Sequence, residues 1–292
     1  MSITASLVKE LRDRTGAGMM ECKKSLVEVD GDIDAAIDLL RTSGQAKAEK
    51  KASRVAADGR IVIESNASKA VILEINSETD FVAKDENFIN FSDSIASLIL
   101  SESIKDIEQL SNSMLSDNQK VEEARTELVT KVGEKISLRR FDNISNSENL
   151  GCYSHGSRIG TIVNLSGGDK ELAKDIAMHI AASNPICIDE SGIPSDLIER
   201  EKNIYNEQAQ SSGKPPEIIE KMIQGKMLKF MKEVTLLGQS FVKDPDISIA
   251  KLLKNSNAVV TNFIRYEVGE GIEKKEENFA DEVMKQIKDS AS

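Results

Sequence analysis

Between Lys69 and Leu98 the spacing of apolar residues switches from every second position to every third or fourth. Val71, Leu73 and Ile75 alternate like the inward face of a β-strand, whereas Phe88, Phe91, Ile95 and Leu98 recur as one stripe of a helix. An apolar β pattern gives way here to a helical one, which points to a small sheet with helices. An earlier run, Arg60 to Glu64, is joined to the strand from Lys69 to Ile75 across Asn66-Ala67-Ser68, which predicts a hairpin. A helix from about Asp85 to Leu100 follows, then a polar loop and a second helix from Asp117 to about Val132. A strand from Ile136 to Phe141 closes the unit.

The same order recurs downstream. Cys152–His155 and Arg158–Leu165 predict another hairpin, Asp169–Ser183 a helix with Leu172, Ile176 and Ile180 on one side, and Val259–Val268 a closing strand. Phe263-Ile264-Arg265-Tyr266 echoes Leu138-Arg139-Arg140-Phe141. The element order therefore implies an internal duplication of a small antiparallel sheet with helices. The second copy is interrupted by residues 187–234, where two helical runs flank Ser211-Ser212-Gly213-Lys214-Pro215-Pro216. Leu197 and Ile204, and Ile198 and Tyr205, stand seven residues apart; Ile218, Met222, Ile223, Met227, Phe230 and Met231 line the other arm. This pattern predicts a projecting, coiled-coil-like helical hairpin, either mediating association, including self-association, or packing only on itself.

Residues 3–44 read as three short helices. Thr4 caps a first carrying Leu7, Val8 and Leu11, and Thr15-Gly16-Ala17-Gly18 breaks it. Met19 and Met20 open a second with Cys22, Leu26 and Val27. Asp30-Gly31-Asp32 starts a third with Ile33, Ala36, Ile37 and Leu40, and Gly44 is expected past its end. So small a bundle leaves apolar surface for a partner, and one of Met19 and Met20 is expected packed, the other exposed. Residues 45–58 read as an Ala- and Lys-rich helical connector, and Gly269-Glu270-Gly271 introduces a polar C-terminal segment with a helical run around Phe279, Val283 and Ile287. The class is α+β, divided into a three-helix domain with connector (1–54), core subdomain N (55–148), core subdomain C (149–186 and 235–270), the inserted hairpin (187–234) and a C-terminal module (271–292).

Composition excludes several functions. A net charge of −11 argues against direct nucleic-acid binding, which needs clustered Lys and Arg. The one dense basic stretch, Lys47, Lys50, Lys51 and Arg54, is interleaved with Ala and Glu49 and fits a solvated helix face as well as a docking patch. Cys22, Cys152 and Cys187 have no paired spacing, and Met1-Ser2-Ile3 opens no secretory signal, so a reduced cytoplasmic setting is expected. No run is long enough to span a membrane. His155 and His179 are far apart in sequence and form no zinc pattern. His179 follows Ile176 on a helix and is expected to pack; His155, before Gly156, is either a turn residue or a surface contact. Gly213-Lys214 and Gly225-Lys226 lack the remainder of a phosphate loop. No catalytic residue, cofactor or metal is expected.

The corner between the two periods is Ser77-Glu78-Thr79-Asp80-Phe81-Val82-Ala83-Lys84. In one reading Thr79 or Asp80 caps the helix and Phe81 folds back as a hydrophobic staple. In the other, a carboxylate and a ring are offered together to a partner.

The chain resembles the bacterial elongation factor Ts family. The resemblance lies in Ile3-Thr4-Ala5-Ser6-Leu7-Val8-Lys9-Glu10-Leu11-Arg12, Thr15-Gly16-Ala17-Gly18-Met19-Met20, Thr79-Asp80-Phe81-Val82-Ala83-Lys84, Ile176-Ala177-Met178-His179 and Phe263-Ile264-Arg265-Tyr266-Glu267-Val268-Gly269-Glu270-Gly271. It implies an N-terminal ubiquitin-associated-like domain, a two-part core, a helical hairpin insert, and exchange of guanine nucleotide on elongation factor Tu. By the same resemblance Thr79, Asp80, Phe81 and Val82 intrude near the partner's magnesium and phosphate site, and Arg12, Met19, Met20 and Lys23 meet its nucleotide-binding domain. Lys51, Val132, Val242 and His155, in its Tyr-x-His-Gly context, fall at further contact positions. The sequence departs from the family pattern at Asp85-Glu86-Asn87 and in a longer polar loop from Asp142 to Asn149. An adaptor that binds without affecting its partner is the alternative; an enzyme finds no support in the residues.

Overall fold

The computed structural model describes residues 3–145, 148–210 and 215–273. Three helices, α1 (Ala5–Thr15), α2 (Met19–Glu28) and α3 (Ile33–Lys51), lead into a hairpin of β1 (Asp58–Ser65) and β2 (Ala70–Ser77). Helices α4 (Asp80–Ala83), α5 (Glu86–Ser101), α6 (Ile107–Asn112) and α7 (Val121–Val132) precede β3 (Ser137–Ile144). A second hairpin, β4 (Asn149–His155) and β5 (Ile159–Ser166), is followed by α8 (Lys170–Ser183). Then come α9 (Ser195–Gln210), α10 (Pro216–Val234), β6 (Ser240–Phe241), β7 (Asp244–Ser248), α11 (Ile249–Asn255) and β8 (Val259–Glu267). The fold is a mixture of helices and antiparallel sheets.

The two main sheets are ordered β1-β2-β3 and β4-β5-β8, each with its closing strand beside the second strand of its hairpin. Both closing pairs are antiparallel and each slips register once, between Glu74 and Ile75 and between Asn164 and Leu165. Strand β2 is buried along its whole length. Val71, Leu73 and Ile75 face helix α5 with Phe88, Phe91 and Ile95. Ala70 and Ile72 face the other way, toward Ile162, Tyr266 and Val268 of the second sheet. A strand covered on both faces reads as a near-continuous apolar run, as this one does.

The first three helices close over Val8, Leu11, Cys22, Leu26, Ala36 and Leu40, with Thr4 and Asp32 accepting from Leu7 N–H and Ala35 N–H as caps. Two expectations fail here. Helix α3 does not end before Gly44 but runs to Lys51, absorbing the first half of the connector. The Ala- and Lys-rich stretch favours helix, and Gly44 marks a close approach instead of a stop: a Cβ there would lie 2.8 Å from Thr130 Oγ1 of α7. Nor is either methionine packed, because the small core is already filled from all three helices; Met19 and Met20 are 59% and 64% exposed.

Further differences are local. The polar loop after α5 contains α6, anchored by buried Leu110, and α7 begins at Val121, later than Asp117. The Asp142–Asn149 loop is shorter than expected because β3 continues until Ile144 pairs with Ala70. Helices α9 and α10 contact one another, and Ala209 alone is buried among their described residues. The turn residues Ser211–Lys214 and the helical run at Phe279, Val283 and Ile287 lie outside the described residues. On the second sheet, α8 rests directly on β4 at Gly151, where a Cβ would meet Ala173 O at 2.1 Å. No helix among the described residues is long and apolar enough to cross a membrane.

Candidate functional site

Ladder pairing of β2 ends at Ser77, opposite Asp58. The chain then turns through Glu78 into Thr79, the N-cap of α4, whose hydroxyl accepts from Val82 N–H at 3.4 Å. Helix α4 is a single turn, so its residues point in widely different directions. Val82 and Ala83 enter the core beside Phe88 and Ile95, and Phe81 is left 81% exposed. The capping half of the helix-start reading is correct and the staple half is not. The folded-back apolar residue is Val82, which is packed inside and so stands apart from Thr79, Asp80 and Phe81 as a member of the expected contact set.

Asp80 is also exposed, with Lys84 Nζ 2.7 Å from Oδ2, and that ammonium holds its carboxyl below the usual carboxylate range. Asp85 starts α5 separately, accepting from Asn87 N–H and Phe88 N–H. The corner therefore presents a ring and a carboxylate side by side, on one turn between two capped elements.

Behind the corner lies a polar clasp. Glu134 Oε2 accepts from Glu78 N–H at 3.1 Å and Thr79 N–H at 2.9 Å, and Oε1 accepts from the Thr79 hydroxyl at 2.7 Å. In return Glu78 Oε1 accepts from Lys135 N–H at 2.6 Å, and its carboxylate pairs with Arg54. Lys51 Nζ donates to Gly133 O at 2.6 Å, and half-buried Val132 packs on the same core. The corner, Lys51 and Val132, scattered along the chain, thus meet at the C-terminal end of α7.

The last residue of β4 before the turn into β5 is exposed His155, whose Nδ1 lies 3.4 Å from Tyr153 OH. This turn is brought toward the corner through Arg158, 3.3 Å from Asp58 Oδ1, since Asp58 stands opposite Ser77. Met19, Met20 and Lys23 share the exposed surface of α2 with Val27, and Arg12 is exposed on α1. Val242 belongs to the segment between β6 and β7; it is 46% exposed, and its N–H donates to His179 Nδ1 at 3.2 Å. That bond makes Nδ1 the acceptor, so Nε2–H donates to Gln239 Oε1 at 3.0 Å. Burial pushes the His179 pKa down, with the Gln239 bond acting in the opposite sense. His179 packs, as expected.

The residues that sequence reasoning missed are the glutamates. Glu134 and Glu78 hold the corner, and Glu74 sits in the seam between the sheets. Nothing in the spacing of Glu134 distinguishes it from other charges near helix ends. Glu74 carries a signal in hindsight: a carboxylate inside an apolar run needs a buried partner. No group of three or more His, Cys, Asp or Glu side chains suited to a metal ion occurs among the described residues.

Comparison with known proteins gives a consistent result. The model of the family described as Elongation factor TS matches residues 78–270, beginning at the corner itself. The protein named Elongation factor Ts from Thioalkalivibrio sulfidiphilus is 55% identical over 292 residues, covering 99% of this chain and 99% of the relative. Those of Methylococcus capsulatus and Legionella pneumophila (strain Lens) are 52% and 56% identical, over 99% and 98% of this chain and 100% and 99% of their own lengths.

Proposed function

The chain belongs to the elongation factor Ts family, and from that premise we propose that it binds elongation factor Tu carrying GDP and promotes release of the nucleotide and its exchange for GTP. The observation that carries the reading is Phe81, a large ring left 81% exposed on a single helical turn whose backbone is clasped from behind. A ring that enters a close-packed partner displaces whole elements, because protein interiors have few voids to absorb it. A magnesium ion beside the partner's phosphates demands near-ideal octahedral geometry. Displacing its ligands weakens GDP binding, and by reciprocity incoming GTP then weakens the hold of this protein. This role uses binding energy only and calls for no covalent chemistry, cofactor or metal of this chain.

In this proposal Thr79, Asp80 and Phe81 act on the magnesium and phosphate site, with Val82 as their anchor. Arg12, Met19, Met20 and Lys23 dock the N-terminal helices on the nucleotide-binding domain, and Lys51, Val132, His155 and Val242 add contacts. The module boundaries at 54, 148, 186, 234 and 270, the duplicated core and a cytoplasmic location belong to the same reading. A second role, self-association through α9 and α10, is supported by Ile218 and Leu228, 47% and 54% exposed on α10; an unchanged solution mass after deletion of the hairpin would remove it.

The decisive experiment follows release of labelled GDP from elongation factor Tu against excess unlabelled nucleotide. Addition of this protein should speed release strongly. Binding without acceleration would establish the adaptor reading in its place.

A further inference from the structure

The exposed ring of Phe81 has little packing of its own to aim it, so its direction is set by the backbone of residues 78–82. We propose that Glu134 is the positioning residue of this corner, an inference that rests on the exchange reading above. Three observations converge on it.

Both carboxylate oxygens of Glu134 are committed to the segment between β2 and α4, through Glu78 N–H, Thr79 N–H and the Thr79 hydroxyl. Those two amides lie beyond the ladder, which ends at Ser77 on one side and at Asn76 opposite Ser137 on the other. Half-buried donors with no ladder partner must be met by something else, and bonds to a carboxylate are about twice as strong as neutral ones. Second, by accepting the hydrogen bond that the Thr79 hydroxyl donates, Glu134 leaves that oxygen's lone pairs free for Val82 N–H, which is the cap that starts α4. Third, the grip is mutual. Glu78 receives Lys135 N–H and Arg54, Lys135 Nζ donates to Arg54 O, and Lys51 Nζ donates to Gly133 O. The turn of residues 133–135 thereby joins the Phe81 corner to the C-terminal end of α3, the helix that leads back to the Met19–Met20 surface.

The test uses the full chain with Glu134→Ala, Glu134→Gln, Phe81→Ala and the double variant Phe81→Ala/Glu134→Ala. Hydrogen exchange on the free protein should show Glu134→Ala losing amide protection across residues 78–83 only, and Glu134→Gln, which keeps an acceptor for the two amides but turns an NH2 toward the Thr79 hydroxyl, losing only part of it. In GDP release from elongation factor Tu, Glu134→Ala should lower the maximal rate roughly tenfold to a hundredfold. It should barely move the half-saturating concentration, and Glu134→Gln should fall between Glu134→Ala and the parent. The double variant should be no slower than Phe81→Ala. Unchanged protection in Glu134→Ala, or losses that multiply in the double variant, would overturn the positioning role. If Phe81→Ala alone released GDP at the parent rate, the exchange reading would fall instead, and hydrogen exchange would still decide whether Glu134 holds the corner.

Discussion

Glu74 is fully buried and its Oε2 lies 2.7 Å from Arg140 Nε, while the Arg140 guanidinium stacks 4.1 Å from the centre of the Tyr266 ring in the opposite sheet. Arg139 Nη1 at 2.8 Å and Gly269 N–H at 2.8 Å complete the clasp. Burial pushes the Glu74 carboxyl up, but the bonds from Gly269, Arg139, Arg140 and Asn76 outweigh it and hold the pKa below the ordinary value. We expect Glu74→Gln to destabilise the fold by about 3 kcal/mol, the low end for a broken buried pair, because both arginines keep some access to water. Urea unfolding at neutral pH measures this. Because the folded pKa is depressed, the contribution is present above about pH 4.3 and disappears as the pH falls further. The gap between parent and variant should therefore narrow in acid.

Phe81→Ala should weaken the complex with elongation factor Tu by about 2–4 kcal/mol, as expected for a central aromatic anchor. Its own stability should change by less than about 0.5 kcal/mol, since the ring is mostly in water. Titration of nucleotide-free partner and thermal unfolding separate the two quantities. A large loss of folding stability would mean that the ring is packed in solution.

His179 makes stability fall with pH in the same direction as Glu74, but in a higher range. Its pKa is lowered in the fold, so below the ordinary imidazole value of about 6.5 the unfolded chain binds a proton that the native state does not. Stability should be fully present above that value and fall as the pH drops toward the folded pKa, where Nδ1 can no longer accept from Val242 N–H. Urea midpoints from pH 7.5 to 5.5 should slope less in His179→Gln than in the parent. Equal slopes would remove His179 as the cause.

Gly151→Ala should be the most damaging single-methyl change in the second sheet. A Cβ 2.1 Å from Ala173 O cannot be relieved by rotating a side chain, since the obstacle is the backbone of α8. We expect a loss above about 4 kcal/mol, the range reserved for overpacking and strain. Circular dichroism on heating gives the answer, and a shift in Tm of only a few degrees would contradict the contact.

The order of strands and helices was legible because hydrophobic periodicity reports which face of an element is covered. The hairpins, the helices α5 and α8 and both closing strands fell where the spacing placed them, except that β3 and β4 each run three residues further into the loop between them. Short elements such as α4, α6 and the β6–β7 pair escaped, since one turn or two residues establish no period. Helix α3 outran its expected end for a different reason. Gly44 signals a stop when read locally, yet it serves a crossing with Thr130, far along the chain.

The corner divides in the same way. Local sequence determined that a strand passes into a capped turn at Thr79, because cap chemistry involves neighbours only. Whether Phe81 or Val82 would fill the core depended on the packing of α4 against Phe88 and Ile95, a contact between separate elements. That Glu134 would reach back to Thr79, and that Arg140 and Tyr266 of the two echoing strand segments would meet face to face, was settled only when the chain closed. Spacing along a chain encodes which side of an element is apolar; it does not encode which distant element will be brought against that side.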